Sequence, residues 1–477
     1  VTLARATVAQ VCMRSAPTLA VLALGACVAE PTLAPRVVAG LDDDPLRGAD
    51  ALLIEVRRDG APIPGATTRV ALPASGFALD HLMLGADLQL FVEARVGDVV
   101  LARGRSFPFD FTSSDAPPAS PPDVLLGTLG RFTRTLETAE RLVAAAPTRE
   151  GALVAASDGR VLSYVAHRHA DGHAELVARS ALPERADARW LAVPAQAGAP
   201  IAAGLLAVGG SEPGASLVGA DGAVLASLDG TSLPAVEGAA TVASSDGAWA
   251  LVLGGLDAGG QPLDTVTRID LDAADTRATA LASLPAPRAH ATATLLTVDD
   301  GGTLREVVLL AGGDAAGELT VVDPLDGSAR SVGVSPALED RALVALETGL
   351  VVAAGGRAAG ATSNEVDLYV VRLDRSPPIE RVSPAPPRLF APRADAVALR
   401  LGPGLALIAG GVDDAGAPLA GAELIEVRLD ALPGDVVPTG SLPTASRARA
   451  AVRLADRSVL VVGDGLASVF VPPRGPE

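Results

Sequence analysis

The sequence predicts an all-β protein, and three observations carry that expectation. Short apolar segments, alternating or continuous, are broken throughout by Gly and Pro, which number 50 and 37. No G-X-Y period runs through them, which excludes collagen. The apolar fraction of 49% is ample for a core, which excludes wholesale disorder. Third, an apolar segment ending in small residues recurs along most of the chain at a similar spacing, and such repeats take priority over local propensity. The 477 residues carry 38 basic side chains, all of them Arg, against 56 acidic ones, a net charge of −18. That balance argues against nucleic acid, whose phosphates require a basic patch, and no run of Arg is dense enough to make one locally.

The first thirty residues have their own logic. Arg14 precedes the apolar run Ala16-Pro17-Thr18-Leu19-Ala20-Val21-Leu22-Ala23-Leu24, which closes in the small residues Gly25-Ala26. This is the order of an export signal, and it is too short to span a bilayer. No other segment reaches eighteen uninterrupted apolar residues. Cys12 and Cys27 are the only cysteines, too few for a disulfide framework or a structural zinc site. Leu24-Gly25-Ala26-Cys27 resembles the lipobox of bacterial lipoproteins. The resemblance implies that residues 1–26 are a signal peptide, that Cys27 is lipidated, and that 27–36 form a tether. It also implies a cell-envelope location, with the outer membrane favoured by Val28, since an Asp at that place is the retention signal for the inner membrane. Several acyl chains make a stable anchor where one alone is marginal.

Residues 37–112 read as a small β-sandwich of immunoglobulin-like size. Leu52, Ile54 and Val56 share one face of a strand, as do Leu88, Leu90 and Val92, and turn signals such as Asp59-Gly60 and Gly97-Asp98 separate the runs. Phe107, Phe109 and Phe111 also alternate, as core or edge. Residues 113–123, with Pro117-Pro118 and Pro121-Pro122, read as a semi-rigid linker.

The remainder, 124–477, holds the repeat. Apolar strands run into Gly209-Gly210, Gly254-Gly255, Gly312-Gly313, Gly355-Gly356, Gly410-Gly411 and a degenerate Gly463-Asp464. Successive first glycines stand 45, 58, 43, 55 and 53 residues apart, and a weaker copy, Leu153-Val154-Ala155-Ala156-Ser157-Asp158, precedes them. A period near fifty fits one four-stranded blade of a β-propeller, with six or seven blades in all. Pro183…Arg185, Pro285-Ala286-Pro287-Arg288, Pro392-Arg393 and Pro443…Arg447 each lead into the next apolar strand. Gly355-Gly356…Asn364-Glu365-Val366-Asp367-Leu368-Tyr369 is the fullest copy. This order resembles the kelch repeat, although the usual Trp of the fourth strand is missing from most copies. The resemblance implies a kelch-like propeller, the architecture of the galactose-oxidase central domain. The glycines are then structural, placed where crowded backbones leave no room for a Cβ.

No nucleophile, base and metal set converges in the sequence. The galactose-oxidase resemblance implies a copper site with two tyrosines, two histidines and a cross-linked cysteine. Here Tyr164 and Tyr369 are the only tyrosines, and an exported, lipidated chain retains no free thiol. Ser245-Asp246-Gly247-Ala248-Trp249 is a single, distant echo of a sialidase box. His167, His169 and His173 flank Asp171-Gly172 and read as a solvated hairpin tip; His81 and His290 are isolated. The loops after the doublets hold Asp257, Asp413 and Asp414, candidate binding loops projecting from one propeller face. No twelve-residue calcium array accompanies them, so neither metal nor cofactor is expected. The expectation is a monomeric, non-catalytic envelope lipoprotein. It would bind an envelope protein or polysaccharide, touch the membrane through its lipid alone, and not bind nucleic acid. The alternative is an envelope polysaccharide hydrolase or lyase, with carboxylates such as Asp257, Glu365 and Asp413 converging on a propeller face.

Overall fold

The computed structural model describes residues 35–73, 85–111, 122–166, 173–195, 204–230, 233, 237–272, 276–314, 316–336, 338–382, 387–427 and 434–473. Cys27 and the signal segment, His81 and 167–172 lie outside the described residues, as does most of the 113–123 linker.

Seven strands form the N-terminal part: β1 (Arg36–Val38), β2 (Ala51–Arg58), β3 (Ala61–Ala71), β4 (Gly85–Val96), β5 (Val99–Ser106), β6 (Phe109–Phe111) and β7 (Asp123–Thr128). They hydrogen-bond as one network in the order β1-β7-β5-β4-β2-β3, with β6 on β4. Asp59-Gly60, both at positive φ, turn β2 into β3. The alternation seen in the sequence sorts the faces. Leu52, Ile54 and Val56 meet Leu88, Leu90 and Val92 in one apolar cluster, joined by Phe111 and half-buried Phe109. The opposite face carries charge, with Arg57 on Glu55 (2.7 Å) and Arg103 on Glu93 (2.8 Å). β7 spans the boundary expected at 123/124 and belongs to this sheet.

Apart from a two-stranded ribbon of Arg357–Ala358 and Ala361–Thr362, the other strands make seven four-stranded antiparallel blades, 142–181, 189–228, 240–280, 292–334, 342–381, 397–438 and 448–471. Three strands of the seventh blade come from its own segment. The fourth and outermost is β8 (Arg131–Arg134), which follows the N-terminal sheet directly and pairs with Leu466–Val471. Each blade's first strand lies innermost and touches the next, and the seventh returns to the first, so the ring is closed. The repeat therefore resolves to seven blades. The weak copy at Leu153–Asp158 supplies blade 1.

Second strands such as Gly204–Val208, Trp249–Leu253 and Leu350–Ala354 are buried along their whole length. They are covered on both faces by neighbouring blades, which is why they read as continuous apolar runs and not as alternating ones. Between blades 2 and 3, for example, Leu206, Val208 and Leu217 pack on Ala250, Val252 and Ile269.

In blades 2 to 6 the doublet ends the second strand and is wedged between two entry segments, the stretches leading into first strands. Gly254 has φ +63, and a Cβ on it would lie 2.4 Å from the Arg288 carbonyl oxygen at the entry to blade 4. Gly255 has φ +107 and would meet Glu237 and Ala239 at the entry to its own blade. Gly463 is the exception in conformation and not in crowding: its φ is not positive, yet a Cβ would stand 2.1 Å from the Arg447 carbonyl.

Candidate functional site

The two faces of the ring differ. Turns between first and second strands lie on the face where the N-terminal sheet docks. The Gln89 side-chain amide donates to the Ala455 carbonyl (3.0 Å), and Arg149 joins Asp87 (3.0 Å) and Asp110 (2.9 Å). Entry segments and the loops after the doublets occupy the opposite face, where none of the described N-terminal strands packs.

Four entry segments, those of blades 2, 4, 5 and 6, are each held by a buried arginine. Arg288, fully buried, donates to the carbonyls of Gly312 (3.0 Å) and Glu318 (2.7 Å), to the Thr320 hydroxyl (2.8 Å), and pairs with Asp314 (2.8 Å). Arg393 reaches Gly410, Gly421 and the Glu423 carboxylate in blade 6, and Arg185 reaches Gly209, Glu212 and Ser216 in blade 2. These arginines precede the strands, and their guanidinium groups turn inward to satisfy the carbonyl at the first glycine. Arg341 does the same in blade 5, bonding Gly355 and pairing with fully buried Asp367 (2.8 Å). Pro336 stands five residues before Arg341, farther than in the copies that carry the Pro…Arg pattern, so the pattern missed it.

Just before the first strands lies a second recurrent position. Asp187, Gly238, His290, Asp340 and Asp395 each stand two residues ahead of the innermost strand of blades 2 to 6, and all have φ between 52 and 65. The left-handed turn swings the entry segment into the channel wall, and Asp tolerates it better than most side chains. Backbone bonds chain four of them around the ring: the His290 N–H donates to Gly238 (2.8 Å), that of Asp340 to His290 (3.3 Å) and that of Asp395 to Asp340 (2.9 Å).

Their side chains gather charge at the channel mouth. Arg447 binds Asp395 (2.8 Å through Nε), Arg449 binds Asp464 (3.3 Å), and Arg141 lies between Asp464 (3.5 Å) and Asp187 (3.9 Å). Arg189, on the innermost strand of blade 2, is drawn by Asp395 and Asp340 and repelled by Arg449, and the surrounding protein lowers its pKa by desolvation. Burial, seconded by the Asp395 charge, raises the Asp340 carboxyl above the usual carboxylate range, while His290 and Arg357 oppose the shift. Carboxylates and guanidinium groups share this rim, which can offer a polar ligand donors and acceptors together. Among the described residues no group of three or more His, Cys, Asp or Glu side chains is arranged to hold a metal ion.

The loop acids singled out in the sequence have other tasks. Asp257 Oδ1 accepts the N–H groups of Gly259 and Gln261 (both 2.8 Å), and Asp413 Oδ1 accepts those of Ala415 and Ala417 (both 2.9 Å). The two loops thus fold alike, as their sequences suggest, each acid holding its own turn. Asp414 reaches from blade 6 to the Thr362 N–H and hydroxyl of blade 5 (both 2.6 Å). Asp257, Glu365 and Asp413 stand on blades 3, 5 and 6, and among the described residues each bonds or bridges to other partners and not to one another. The rim residues Asp187, Asp340, Asp395 and Arg189 were not among the sequence candidates. A legible signal existed: Arg185-Ala186-Asp187, Arg288-Ala289-His290 and Arg393-Ala394-Asp395 are three copies of one triplet. No protein-family model and no curated protein matches this chain.

Proposed function

We propose that this chain is a non-catalytic binding and scaffolding propeller of the bacterial cell envelope, held to the membrane by a lipid on Cys27. Propellers often serve protein binding or scaffolding, and this one is closed, seven-bladed and covered by its companion sheet on one face only. The observation that carries the reading is the charged rim on the other face, set on a hydrogen-bonded backbone ring. Its partner is an envelope protein or polysaccharide bearing both charged and hydroxyl groups. The kelch-like order of doublet and entry arginine supports the same reading, and the lipobox supports the location.

Two experiments test it. Growth with labelled palmitate should label the protein and not its Cys27→Ser variant; equal labelling of both rejects the anchor. Purified protein should bind envelope polysaccharide or a crosslinked envelope partner, and Asp395→Arg with Arg447 intact should abolish that binding. Undiminished binding rejects the rim as the binding face.

One observation favours the second reading, a hydrolase or lyase acting on envelope polysaccharide. Asp340 is pushed toward its neutral form beside Asp395, which is ion-paired to Arg447. Neighbouring carboxyl groups in unlike environments are the arrangement from which a general acid and a base are made. Release of new reducing or unsaturated ends, lost in Asp340→Asn, would support that reading, and no release from any envelope polysaccharide would reject it.

A further inference from the structure

We propose that the junction between the N-terminal sheet and blade 7 is a binding site for a small oxyanion, held by Arg105. Arg105 lies on β5, is 7% exposed, and stacks over the Phe91 ring at 5.1 Å. Two further arginines, Arg57 and Arg103, flank the same ring at 4.2 and 5.5 Å. Each of those has its own carboxylate, Glu55 and Glu93. Arg105 has none: its Nη1 is buried without a hydrogen-bond partner among the described residues.

The group opposite does not repair this. Asp456 attracts Arg105 across a cavity without forming an ion pair, and its Oδ1 is occupied by the Ser458 N–H (3.0 Å) and hydroxyl (2.6 Å). The cavity is lined by Arg103, Gly104, Arg105, Asp456, Arg457 and Ser458 among others, has a volume of about 40 Å³, and opens to solvent on one side. At roughly 10–15 Å³ per water it has room for about three waters, or for one anion of sulfate size. A buried guanidinium without a hydrogen bond is costly, and an anion that accepts from it removes the cost and offsets the repulsion among Arg57, Arg103, Arg105 and Arg457. Burial and that repulsion already hold the Arg105 pKa down to about 10. Of the groups facing the cavity only Asp456 titrates near neutrality, at about 6, so the anion should bind more tightly below that pH.

The test uses the full chain and sulfate, whose charge is constant across this range, with chloride at equal ionic strength as the reference. Sulfate should raise the melting temperature saturably and give a calorimetric isotherm. Arg105→Met should weaken binding by at least about tenfold, and Ser458→Ala serves if that variant does not fold. Arg375→Gln, exposed and remote, should change nothing. Sulfate binding should weaken as pH rises through about 6, and this dependence should vanish in Asp456→Asn. Displacement of sulfate by an oligouronate identifies the natural occupant as a carboxylate carried on a larger molecule; displacement by inorganic phosphate alone identifies it as a free ion. Stabilisation no greater than with chloride, or equal stabilisation of the parent and Arg105→Met, overturns the proposal.

Discussion

Replacing Arg393 by Met asks whether the entry arginines hold the blades. Arg393 is 2% exposed and its partner Glu423 is equally buried. The substitution removes the ion pair and the bonds to the carbonyls of Gly421 (2.7 Å) and Gly410 (3.1 Å). It leaves Glu423 with the backbone N–H groups of Phe390 (2.9 Å) and Ala391. Breaking a buried pair from one side costs about 3–5 kcal/mol, because the surviving charge is left uncompensated. Burial already raises the Glu423 carboxyl, so without Arg393 it takes up a proton more readily, and the loss should be smaller at pH 5 than at pH 8. Adding Glu423→Leu removes the orphaned charge and should restore at least about 2 kcal/mol. Urea unfolding followed by circular dichroism and by the fluorescence of Trp190 and Trp249 measures both variants, and agreement of the two probes checks that the transition is cooperative. A single variant within about 1 kcal/mol of the parent, or a double variant no more stable than the single one, would refute the reasoning.

Three further outcomes are expected. Asp456→Asn should stabilise the protein at pH 8 by up to roughly 3 kcal/mol, since burial raises this carboxyl from 3.8 to about 6 and its ionised form is the costly one. The native state takes up the proton before the unfolded chain as pH falls, so the advantage should halve near pH 5 and vanish below about pH 4, as melting curves across that range will show. Gly254→Ala should cost more than about 3 kcal/mol, combining a left-handed backbone with a Cβ 2.4 Å from a carbonyl, whereas Gly260→Ala, with φ +75 and open space, should cost about 1 kcal/mol. Equal losses in denaturant would show that the doublet is not crowded. Phe132→Ala removes the ring packed 4.8 Å from Phe470 where β8 closes blade 7, and should cost about 3–4 kcal/mol. Amide exchange should then accelerate first in Arg131–Arg134 and Leu466–Val471; unchanged protection there would disprove closure by β8.

Much of this ring is written openly in the chain. In blades 2 to 6 a doublet whose φ values and crowding demand glycine marks the second strand, because no other residue fits at Gly254 or Gly355. Continuous apolar runs mark the strands covered by blades on both sides. What the sequence hides is long-range. β8 is four residues long and offers no pattern that assigns it to the last blade, since its partner Leu466–Val471 stands at the far end of the propeller. The N-terminal alternation shows which side chains share a face and not how many strands join one sheet, and the Pro121-Pro122 pair just before β7 masks its membership. The rim was harder still. Its conformation is set by a left-handed turn that Asp, Gly and His all accept, so the position carries no single residue type. Arg105 illustrates the remaining limit: an arginine in an alternating strand looks solvated until the blade that buries it is known.

β8 gives assembly of this protein a direction. As the chain emerges from its amino end, the outer strand of the final blade is made before any of the blades, while the edge that will receive it follows the other six. Until then a nascent molecule carries two raw β edges, one on each side of an unfinished arc, and such edges invite pairing between molecules. Loss of the last strand alone therefore converts a locked circle into an adhesive one, a failure of solubility before it is a failure of recognition.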